Sequence, residues 1–276
     1  RCESKRRLDG QVVVITGANT GIGKETAYQM TLRGAKAIIG CRDESRAENA
    51  IKDIKQRNPK ADIYSLPLDL SSLQSVRQFV IEITKRETKV DILINNAGIA
   101  FTPEWATADG FEMAFGTNHL GHYLLTLSLL PILKSPGRPA RILTVSSGAH
   151  VVGSIHFENI HLRNGAYESL KAYAQSKLAN VLFTRELARR LGPDSGVHTF
   201  FAIIFNIIAI NVIKGCQTTL YCALDEGLDN ESGFYYDNCR RVDAMVSTAT
   251  DDKSAEQLWQ LSEELVRLEE HLKLPK

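Results

Sequence analysis

The sequence predicts a single α/β domain with a doubly wound parallel sheet, and three observations support this. Short β-branched runs alternate with longer amphipathic stretches, which is the pattern of repeated β-α-β units. The short runs are almost continuously apolar, as expected of strands that are buried on both faces. The length of 276 residues suits one domain of this class. We therefore expect helices on both faces of one mostly parallel sheet.

Each element can be placed along the chain. Apolar runs predict strands at residues 12–16, 37–41, 63–68, 91–95, 141–146, 197–205 and 234–236. Amphipathic stretches predict helices at residues 21–33, 44–57, 72–86, 110–133, 172–191, 215–224 and 254–271. Gly34 follows the first helix and Pro59 follows the second, and both residues are typical of helix ends. Residues 237–276 form a less regular C-terminal extension that ends in the amphipathic helix.

Composition and hydropathy argue against a nucleic-acid partner and against a membrane-spanning helix within this sequence. Hydrophobic residues make up 43% of the chain and charged residues 24%, and the formal net charge is +1. This balance gives no electrostatic basis for binding nucleic acid. No run reaches the ~18 apolar residues that a membrane-spanning helix needs. The basic N-terminal tail, residues 1–9, is compatible with the flank of a lost membrane anchor and equally with a solvated tail.

The chain has five cysteines, and their arrangement indicates no metal site and no disulfide framework. They are Cys2, Cys41, Cys216, Cys222 and Cys239, with no CxxC pair and no histidine at ligand spacing. An odd number of cysteines without a framework suits a reducing compartment. We expect five independent free thiols.

A glycine-rich turn, TGANTGIG at residues 16–23, joins the first strand to the first helix. Glycines in this position let the backbone approach a pyrophosphate, and the N-terminus of the helix offers free N–H groups and the positive end of its dipole. The position between strand and helix is the context that this motif requires. The turn therefore predicts a dinucleotide site whose candidate residues are Gly17, Asn19, Thr20, Gly21, Ile22 and Gly23.

The end of the second strand bears on the choice of dinucleotide. An acidic residue at this point binds the ribose hydroxyls of NAD, whereas an arginine pairs with the 2′-phosphate of NADP. Arg42 comes first and favours NADP(H) as the cofactor. In the alternative, Arg42 is a solvated surface charge and Asp43 binds the ribose.

Four separated motifs together resemble the short-chain dehydrogenase/reductase family, which has a Rossmann-type fold. They are TGxxxGxG at residues 16–23, NNAG at 95–98, the serine pair at 146–147 and YxxxK at 173–177. The resemblance covers about residues 10–195. Within the family the chain is most similar to the retinol dehydrogenases, through DGFE at 109–112, NHLGH at 118–122, SKLANVLFTREL at 176–187, GCQTT at 215–219 and SGFYY at 232–236.

The resemblance implies an NADP(H)-dependent oxidoreductase that interconverts an alcohol and an aldehyde or ketone. The implied substrate is retinol and retinaldehyde, or a related lipid-derived carbonyl compound. The resemblance also implies a cytosol-facing enzyme of the endoplasmic reticulum, attached through a segment N-terminal to this sequence, and a homodimer formed by two long helices. An alternative is a homologue that binds NADP(H) with weak or no turnover and acts as an interaction protein.

The YxxxK motif carries the proton chemistry. Tyr173 and Lys177 lie four residues apart and share one helix face. A free tyrosine titrates near ~10, and a lysine charge one turn away favours its phenolate. Tyr173 can then exchange a proton with the substrate oxygen. The resemblance assigns Lys177 to the nicotinamide ribose as well, and Ser147 to the reacting oxygen, with Ser146 as its rival.

The resemblance also assigns roles to residues from other segments. Asn118 corresponds to the fourth catalytic residue of the family, which places a water near Lys177; otherwise Asn118 is a polar residue tolerated within a helix. Asn96, Ala97 and Gly98 correspond to the turn that closes over the adenosine half of the cofactor. Asp69 corresponds to the acceptor for the adenine amino group. Alternatively, Asp69 is an acidic residue at a helix N-terminus.

The sequence departs from the family after the sixth strand. The Pro-Gly pair that ends this strand in the family is absent, and the loop that covers the substrate is missing. Residues 200–214 form an altered, strongly apolar segment instead. We expect exposed apolar surface between Phe200 and Ile213, because no recognisable cover remains. We also expect weaker substrate binding and poorer discrimination among aldehydes than in relatives with the loop.

Overall fold

A computed structural model describes residues 1–134, 139–204 and 211–275, with the backbone alone at 203 and 204. In this part of the chain eight strands form one sheet in the order β3-β2-β1-β4-β5-β6-β7-β8. Strands β1 to β7 are parallel and β8 is antiparallel to β7. The strands are β1 Val12–Thr16, β2 Lys36–Cys41, β3 Ile63–Pro67, β4 Ile92–Asn95, β5 Ala140–Ser147, β6 Val197–Ile204, β7 Phe234–Asp237 and β8 Arg240–Arg241. The doubly wound α/β prediction is confirmed.

Helices connect the strands and cover both faces of the sheet. They are α1 Gly21–Leu32, α2 Glu44–Arg57, α3 Leu73–Arg86, α4 Met113–Phe115, α5 Gly121–Leu133, α6 Ser169–Leu191, α7 Val212–Gly215, α8 Gln217–Leu224, α9 Ser247–Thr250 and α10 Asp252–Leu265. Among the residues described, no helix is both long and apolar enough to cross a bilayer.

Two long helices differ from the prediction. The helix predicted at residues 110–133 begins at Met113, because Gly110 has a φ of +83° that no right-handed helix contains. A π-helical segment, Gly116–Leu120, separates its first turn, α4, from α5. The helix predicted at 254–271 ends at Leu265, because Arg267 takes a φ of +50°.

The core consists of two apolar layers, one on each face of the sheet. One layer packs under α1, α2 and α8, and includes Ile15 and Ile39. The other packs under α3, α5, α6 and α10, and includes Val14 and Leu93. Neighbouring residues of β1 thus point to opposite layers, as the alternation of side chains along a strand requires. The strand order reverses between β1 and β4, and in such sheets ligands bind at the carboxyl ends of the strands beside this reversal.

The altered segment is only partly exposed. Phe200, Phe201 and Ala202 are completely buried, so the exposed apolar surface expected there is wrong for these residues. They are buried because β6 lies inside the sheet, where Phe200 and Ala202 pack in the layer under α8 and Phe201 packs in the layer under α6. Residues 205–210 lie outside the described residues. Val212 and Ile213 retain 41% and 54% of their accessible surface, and there the expectation is confirmed.

The basic N-terminal tail packs on the domain. Leu8 is 1% exposed, and the backbone N–H of Leu8 donates to the carbonyl of Arg33. Arg6 donates to Asp229 over 3.0 Å, and Asp229 also pairs with the buried guanidinium of Arg141 at the amino end of β5. The interpretation as a solvated tail therefore does not apply to Arg6 and Leu8.

The C-terminal extension covers the outer face of the two long helices. Trp259 of α10 is 2% exposed and lies 5.1 Å from the ring of Tyr123 on α5 and 5.8 Å from that of Phe183 on α6. The guanidinium of Arg190 on α6 lies 4.7 Å from the Trp259 ring. A homodimer through α5 and α6 would have to displace α10. The dimer implied by the family resemblance stays a prediction.

Replacing Trp259 with alanine tests the importance of this cover. We expect Trp259→Ala to lower the free energy of unfolding by about 3–5 kcal/mol, because it leaves a cavity between α5, α6 and α10. Urea denaturation followed by circular dichroism measures the change. Gln257→Ala on the exposed face of the same helix is the matched control and should change stability by less than about 0.5 kcal/mol. Equal stability of the two variants would show that α10 contributes little to the fold.

Candidate active site

The catalytic candidates come from three elements and meet at the carboxyl end of β5. Ser147 is the last residue of β5, Tyr173 and Lys177 lie one turn apart on α6, and Asn118 lies in the π-helical segment. All four are buried, with exposures between 0% and 7%. The Lys177 ammonium lies 5.7 Å from the centre of the Tyr173 ring. The structure thus brings together all four catalytic residues expected from the sequence.

The two adjacent serines have different partners. The Ser146 hydroxyl donates to the backbone carbonyl of Lys177 over 2.9 Å and so joins β5 to α6. The Ser147 hydroxyl is close enough to Tyr173 to lower the pKa of the phenol, and it accepts from the Ala149 N–H over 3.3 Å. This arrangement supports Ser147 as the residue that meets a reacting oxygen.

Burial shifts the proton affinities of Tyr173 and Lys177 in ways that matter for catalysis. Burial lowers the pKa of Lys177 to about 8, because a charged ammonium is poorly solvated there. The only hydrogen bond of its ammonium among the described residues is a donation to the Val145 carbonyl over 3.3 Å. Burial raises the pKa of Tyr173, and Ser147 opposes this rise. The Tyr173 hydroxyl is buried and has no direct hydrogen-bond partner among the described residues. Its capacity to donate and accept a hydrogen bond is therefore unused and could serve a ligand.

Asn118 fastens a turn to helix α6. Its Oδ1 accepts from the Ile99 N–H, and its Nδ2 donates to the Ile99 carbonyl and to the Ser176 hydroxyl, each over 2.9 Å. Both amide hydrogens are therefore used, and one lone pair of Oδ1 remains for a water. A Cβ atom placed on Gly98 would lie 3.2 Å from Lys177 Nζ and 3.5 Å from Asn118 Oδ1. The Lys177 ammonium and the Asn118 side-chain oxygen therefore both lie next to Gly98. A π-helical turn of this kind is often found at functional sites.

The glycine-rich turn has the shape that a pyrophosphate requires. Gly17 takes a φ of +66°, and a Cβ atom on it would lie 2.8 Å from the Cβ of Ala97. A Cβ atom on Gly23 would lie 2.4 Å from Asn96 Nδ2, so the two turns are in direct contact. Helix α1 begins without a side-chain cap and without an acidic residue in its first turn. Its first N–H groups and dipole can therefore receive an anion.

The remaining members of the expected cofactor site lie around this turn. Asn19, Ile22 and Ala97 are half-buried, and Thr20 and Gly21 are exposed at the start of α1. Asp69 lies just before α3, and its Oδ1 accepts from the N–H and the hydroxyl of Ser71. The role of Asp69 as a turn-forming acid before a helix is thus observed. A contact with adenine remains a prediction, for which Oδ2 is available.

The two candidate ribose-binding residues after β2, Arg42 and Asp43, have different environments. Asp43 caps helix α2 by accepting from the Arg46 N–H over 3.0 Å, and it also pairs with the Arg46 side chain. Arg42 is exposed and has no hydrogen bond or ion pair among the described residues. The carboxylate is therefore engaged in the fold, and the guanidinium is available for a 2′-phosphate.

Two residues at the site were not predicted from the sequence. The Thr16 hydroxyl, at the end of β1, accepts from the N–H groups of Asn96 and Ala97 over 3.0 and 2.9 Å. The Phe101 ring lies 5.6 Å from that of Tyr173 and is 53% exposed. Thr16 stands first in the glycine motif, which could have indicated its role. Nothing in the sequence indicated Phe101, because its position depends on the path of the loop after β4.

The comparison with known families agrees with this geometry. A model of the family described as short chain dehydrogenase matches residues 11–214. The chain belongs to this family. As a member of it, the protein is an oxidoreductase, and the resemblance stated from its motifs is confirmed.

Individual proteins show how far the likeness extends. The chain is 42% identical to "Retinol dehydrogenase 13" of Homo sapiens, covering 97% of this chain and 88% of that protein. A crystal structure of an uncharacterised protein from Mycobacterium Paratuberculosis has a TM-score of 0.83 and 37% identity, covering 95% of each chain. The "RhlG/NADP active-site complex" of Pseudomonas aeruginosa has a TM-score of 0.58 and 25% identity, covering 71% of this chain and 73% of that one. The alignment with the human protein spans 293 positions, so that protein contains residues with no counterpart among the 276 here.

Replacing Lys177 with methionine tests the buried charge through stability. The folded pKa of about 8 lies below the ordinary value of 10.5, so burial of the charge destabilises the fold fully below pH 8 and this cost disappears by about pH 10.5. We expect Lys177→Met to be more stable than the wild type at pH 7, by on the order of 3 kcal/mol at most. The difference should shrink as the pH rises from 8 to 10.5.

Urea denaturation at a series of pH values measures this difference. Lys171→Met, at a half-buried position in the first turn of the same helix, is the matched control and should show no comparable trend. A stability difference for Lys177→Met that does not change with pH would contradict the proposed burial of a charged lysine.

Proposed function

We propose that this protein is an NADP(H)-dependent oxidoreductase that interconverts an alcohol and an aldehyde or ketone, with retinol and retinaldehyde or related lipid-derived compounds as substrates. The observation that carries the proposal is the Tyr173 hydroxyl. It is buried, has no hydrogen-bond partner among the described residues, and lies beside the Ser147 hydroxyl and the Lys177 ammonium. Such a group is suited to exchange a proton with a substrate oxygen.

The residues present fit a nicotinamide dinucleotide. Gly17, Gly21, Gly23 and the uncapped start of α1 would hold the pyrophosphate, with Asn19, Thr20 and Ile22 in the same turn. Arg42 would pair with the 2′-phosphate, Asn96 to Gly98 and Asp69 would lie against the adenosine half, and Lys177 against the nicotinamide ribose. When bound, the nicotinamide ring supplies or accepts the hydride.

The side chains of the site would manage the proton and the reacting oxygen. Ser147 would donate a hydrogen bond to the oxygen of the carbonyl compound and thereby polarise it. Tyr173 would give its proton to this oxygen during reduction and take it back during oxidation. Burial raises the pKa of Tyr173 and the Ser147 hydroxyl opposes this rise. A charged Lys177 one turn away would further favour the phenolate form. Asn118 would keep the Ile99 turn and α6 in register around these groups.

A lipophilic substrate is supported by an exposed apolar side chain beside Tyr173. Phe101 is 53% exposed above Tyr173. The name of the human relative indicates retinol as one such substrate. We propose that the enzyme faces the cytosol at the endoplasmic reticulum membrane, which the resemblance implies and the free thiols suit.

The second candidate is a cofactor-binding homologue with weak or no turnover. The apparent loss of the covering loop after β6 favours this alternative. The catalytic geometry does not, because Ser147, Tyr173 and Lys177 lie together in a buried site. Consumption of NADPH in the presence of retinaldehyde, followed by absorbance, separates the two. NADPH binding without consumption across several aldehydes would support the second candidate.

Removing the Tyr173 hydroxyl tests the role in proton transfer. We expect Tyr173→Phe to lower turnover by about 10²-fold or more while NADPH affinity changes little, because the general acid–base group is lost and the volume is conserved. Steady-state kinetics and NADPH titration measure the two quantities. Tyr221→Phe, a half-buried tyrosine on α8, is the matched control and should retain turnover. Wild-type turnover in Tyr173→Phe would exclude this tyrosine as the proton donor.

Removing the Arg42 guanidinium tests the preference for NADPH. A charge-assisted pair with the 2′-phosphate contributes about 1.5–3 kcal/mol, or roughly tenfold to a hundredfold in affinity. We expect Arg42→Ala to lose this factor for NADPH and to leave NADH binding nearly unchanged. Arg46→Ala, an exposed arginine four residues on, should preserve the preference. If Arg42→Ala keeps the preference, another group recognises the phosphate.

A further inference from the structure

A buried histidine connects the cofactor turn to the catalytic asparagine. His122 lies in the first turn of α5 and is 1% exposed. Its Nε2 is 2.8 Å from the Thr16 hydroxyl, and its Nδ1 is 2.9 Å from the backbone carbonyl of Asn118. Thr16 is in turn bonded to the N–H groups of Asn96 and Ala97. The four contacts form one continuous chain between two parts of the site.

The direction of every hydrogen bond in this chain follows from the donors and acceptors available. A carbonyl oxygen can only accept, so His122 Nδ1 carries the hydrogen and donates to Asn118. In a neutral imidazole Nε2 is then an acceptor, and the Thr16 hydroxyl donates to it. The two lone pairs of the Thr16 oxygen remain for the N–H groups of Asn96 and Ala97. Every donor then has an acceptor. A doubly protonated imidazole would instead place three N–H donors around the Thr16 oxygen, and the Thr16 hydroxyl hydrogen would lose its acceptor.

The two ends of this series of hydrogen bonds are the groups that the proposed reaction needs in fixed positions. At one end Asn96 and Ala97 touch Gly23 and Gly17 of the pyrophosphate turn. At the other end Asn118 holds Ile99 and Ser176 beside Tyr173 and Lys177. His122 lies in the interior between them and is covered by protein. It therefore has no direct access to a substrate.

We propose that His122 is a positioning residue that couples the dinucleotide turn to Asn118 through its Nδ1–H tautomer. This inference rests on the proposed function, because coupling matters only if the cofactor and the catalytic residues act together. His119, one turn earlier, provides a contrast. It is equally buried, but its Nε2 contacts the Ser262 hydroxyl of α10 over 2.7 Å and faces away from the cofactor turn.

Two substitutions at His122 remove its two hydrogen bonds one at a time. Gln can place an acceptor oxygen where His122 has Nε2, and Asn can place a donor nitrogen where it has Nδ1. We expect His122→Gln to keep NADPH affinity within about twofold and to lose roughly tenfold in turnover at saturating NADPH, the scale of one buried hydrogen bond. We expect His122→Asn to show the reverse, with roughly tenfold weaker NADPH binding and turnover within about twofold at saturation.

His119→Gln is the matched control and should lower the melting temperature without changing either quantity per folded molecule. Equal losses of affinity and turnover in both His122 variants would overturn the proposal, because a merely structural histidine would affect both alike. Wild-type behaviour of both variants would overturn it as well.

A spectroscopic measurement tests the proposal without activity and without a variant. In protein labelled with ¹⁵N at histidine, we expect the His122 ring to show the neutral Nδ1–H tautomer at pH 7, with and without NADPH. The Nε2–H tautomer or a doubly protonated ring would overturn the proposal. If instead Tyr173→Phe kept full turnover, the proposed function would fail, and the tautomer of His122 would still decide whether the chain of hydrogen bonds exists.

Discussion

The active site depends on the contact between two turns, one at the carboxyl end of β1 and one at the carboxyl end of β4. The Thr16 hydroxyl receives two N–H groups of the second turn, and only glycine at positions 17 and 23 allows the backbones to approach so closely. Because β1 and β4 are adjacent where the strand order reverses, this contact lies at the opening where such sheets bind ligands. These contacts hold the glycine-rich turn against the turn after β4.

The candidate catalytic groups are held by a second set of contacts at the same end of the sheet. Ser146 joins β5 to α6, and Asn118 joins the turn after β4 to α6. These bonds are buried, so losing one partner leaves the other unsatisfied in a low-dielectric environment. Lys177 and Tyr173 are consequently kept in an environment that shifts both pKa values. Such shifts are typical of sites that transfer protons.

The C-terminal extension changes the outer surface of the helices that carry this site. Trp259 fills the space between Tyr123 and Phe183, and the guanidinium of Arg190 lies over its ring. The packing is intramolecular and apolar, and it stabilises α5 and α6 from the side opposite the sheet. The outer face of these helices is thus covered by the C-terminal extension.

The sequence alone determined the strand and helix order, the glycine turn, and the Tyr173–Lys177 pair, because apolar periodicity and motif spacing are local properties of the chain. It did not settle Ser147 over Ser146, or Arg42 over Asp43, since each choice depends on partners distant in sequence. It predicted exposure for Phe200 and Phe201, which the helices on the two faces of the sheet bury instead. Tertiary structure alone placed Phe101 and His122 beside the site, and it alone showed the contacts of Thr16, whose place at the start of the glycine motif is visible in the sequence. Their contacts arise where strands and helices far apart in the sequence meet, and a hydrogen bond between such segments leaves no periodic or spacing signal in the chain.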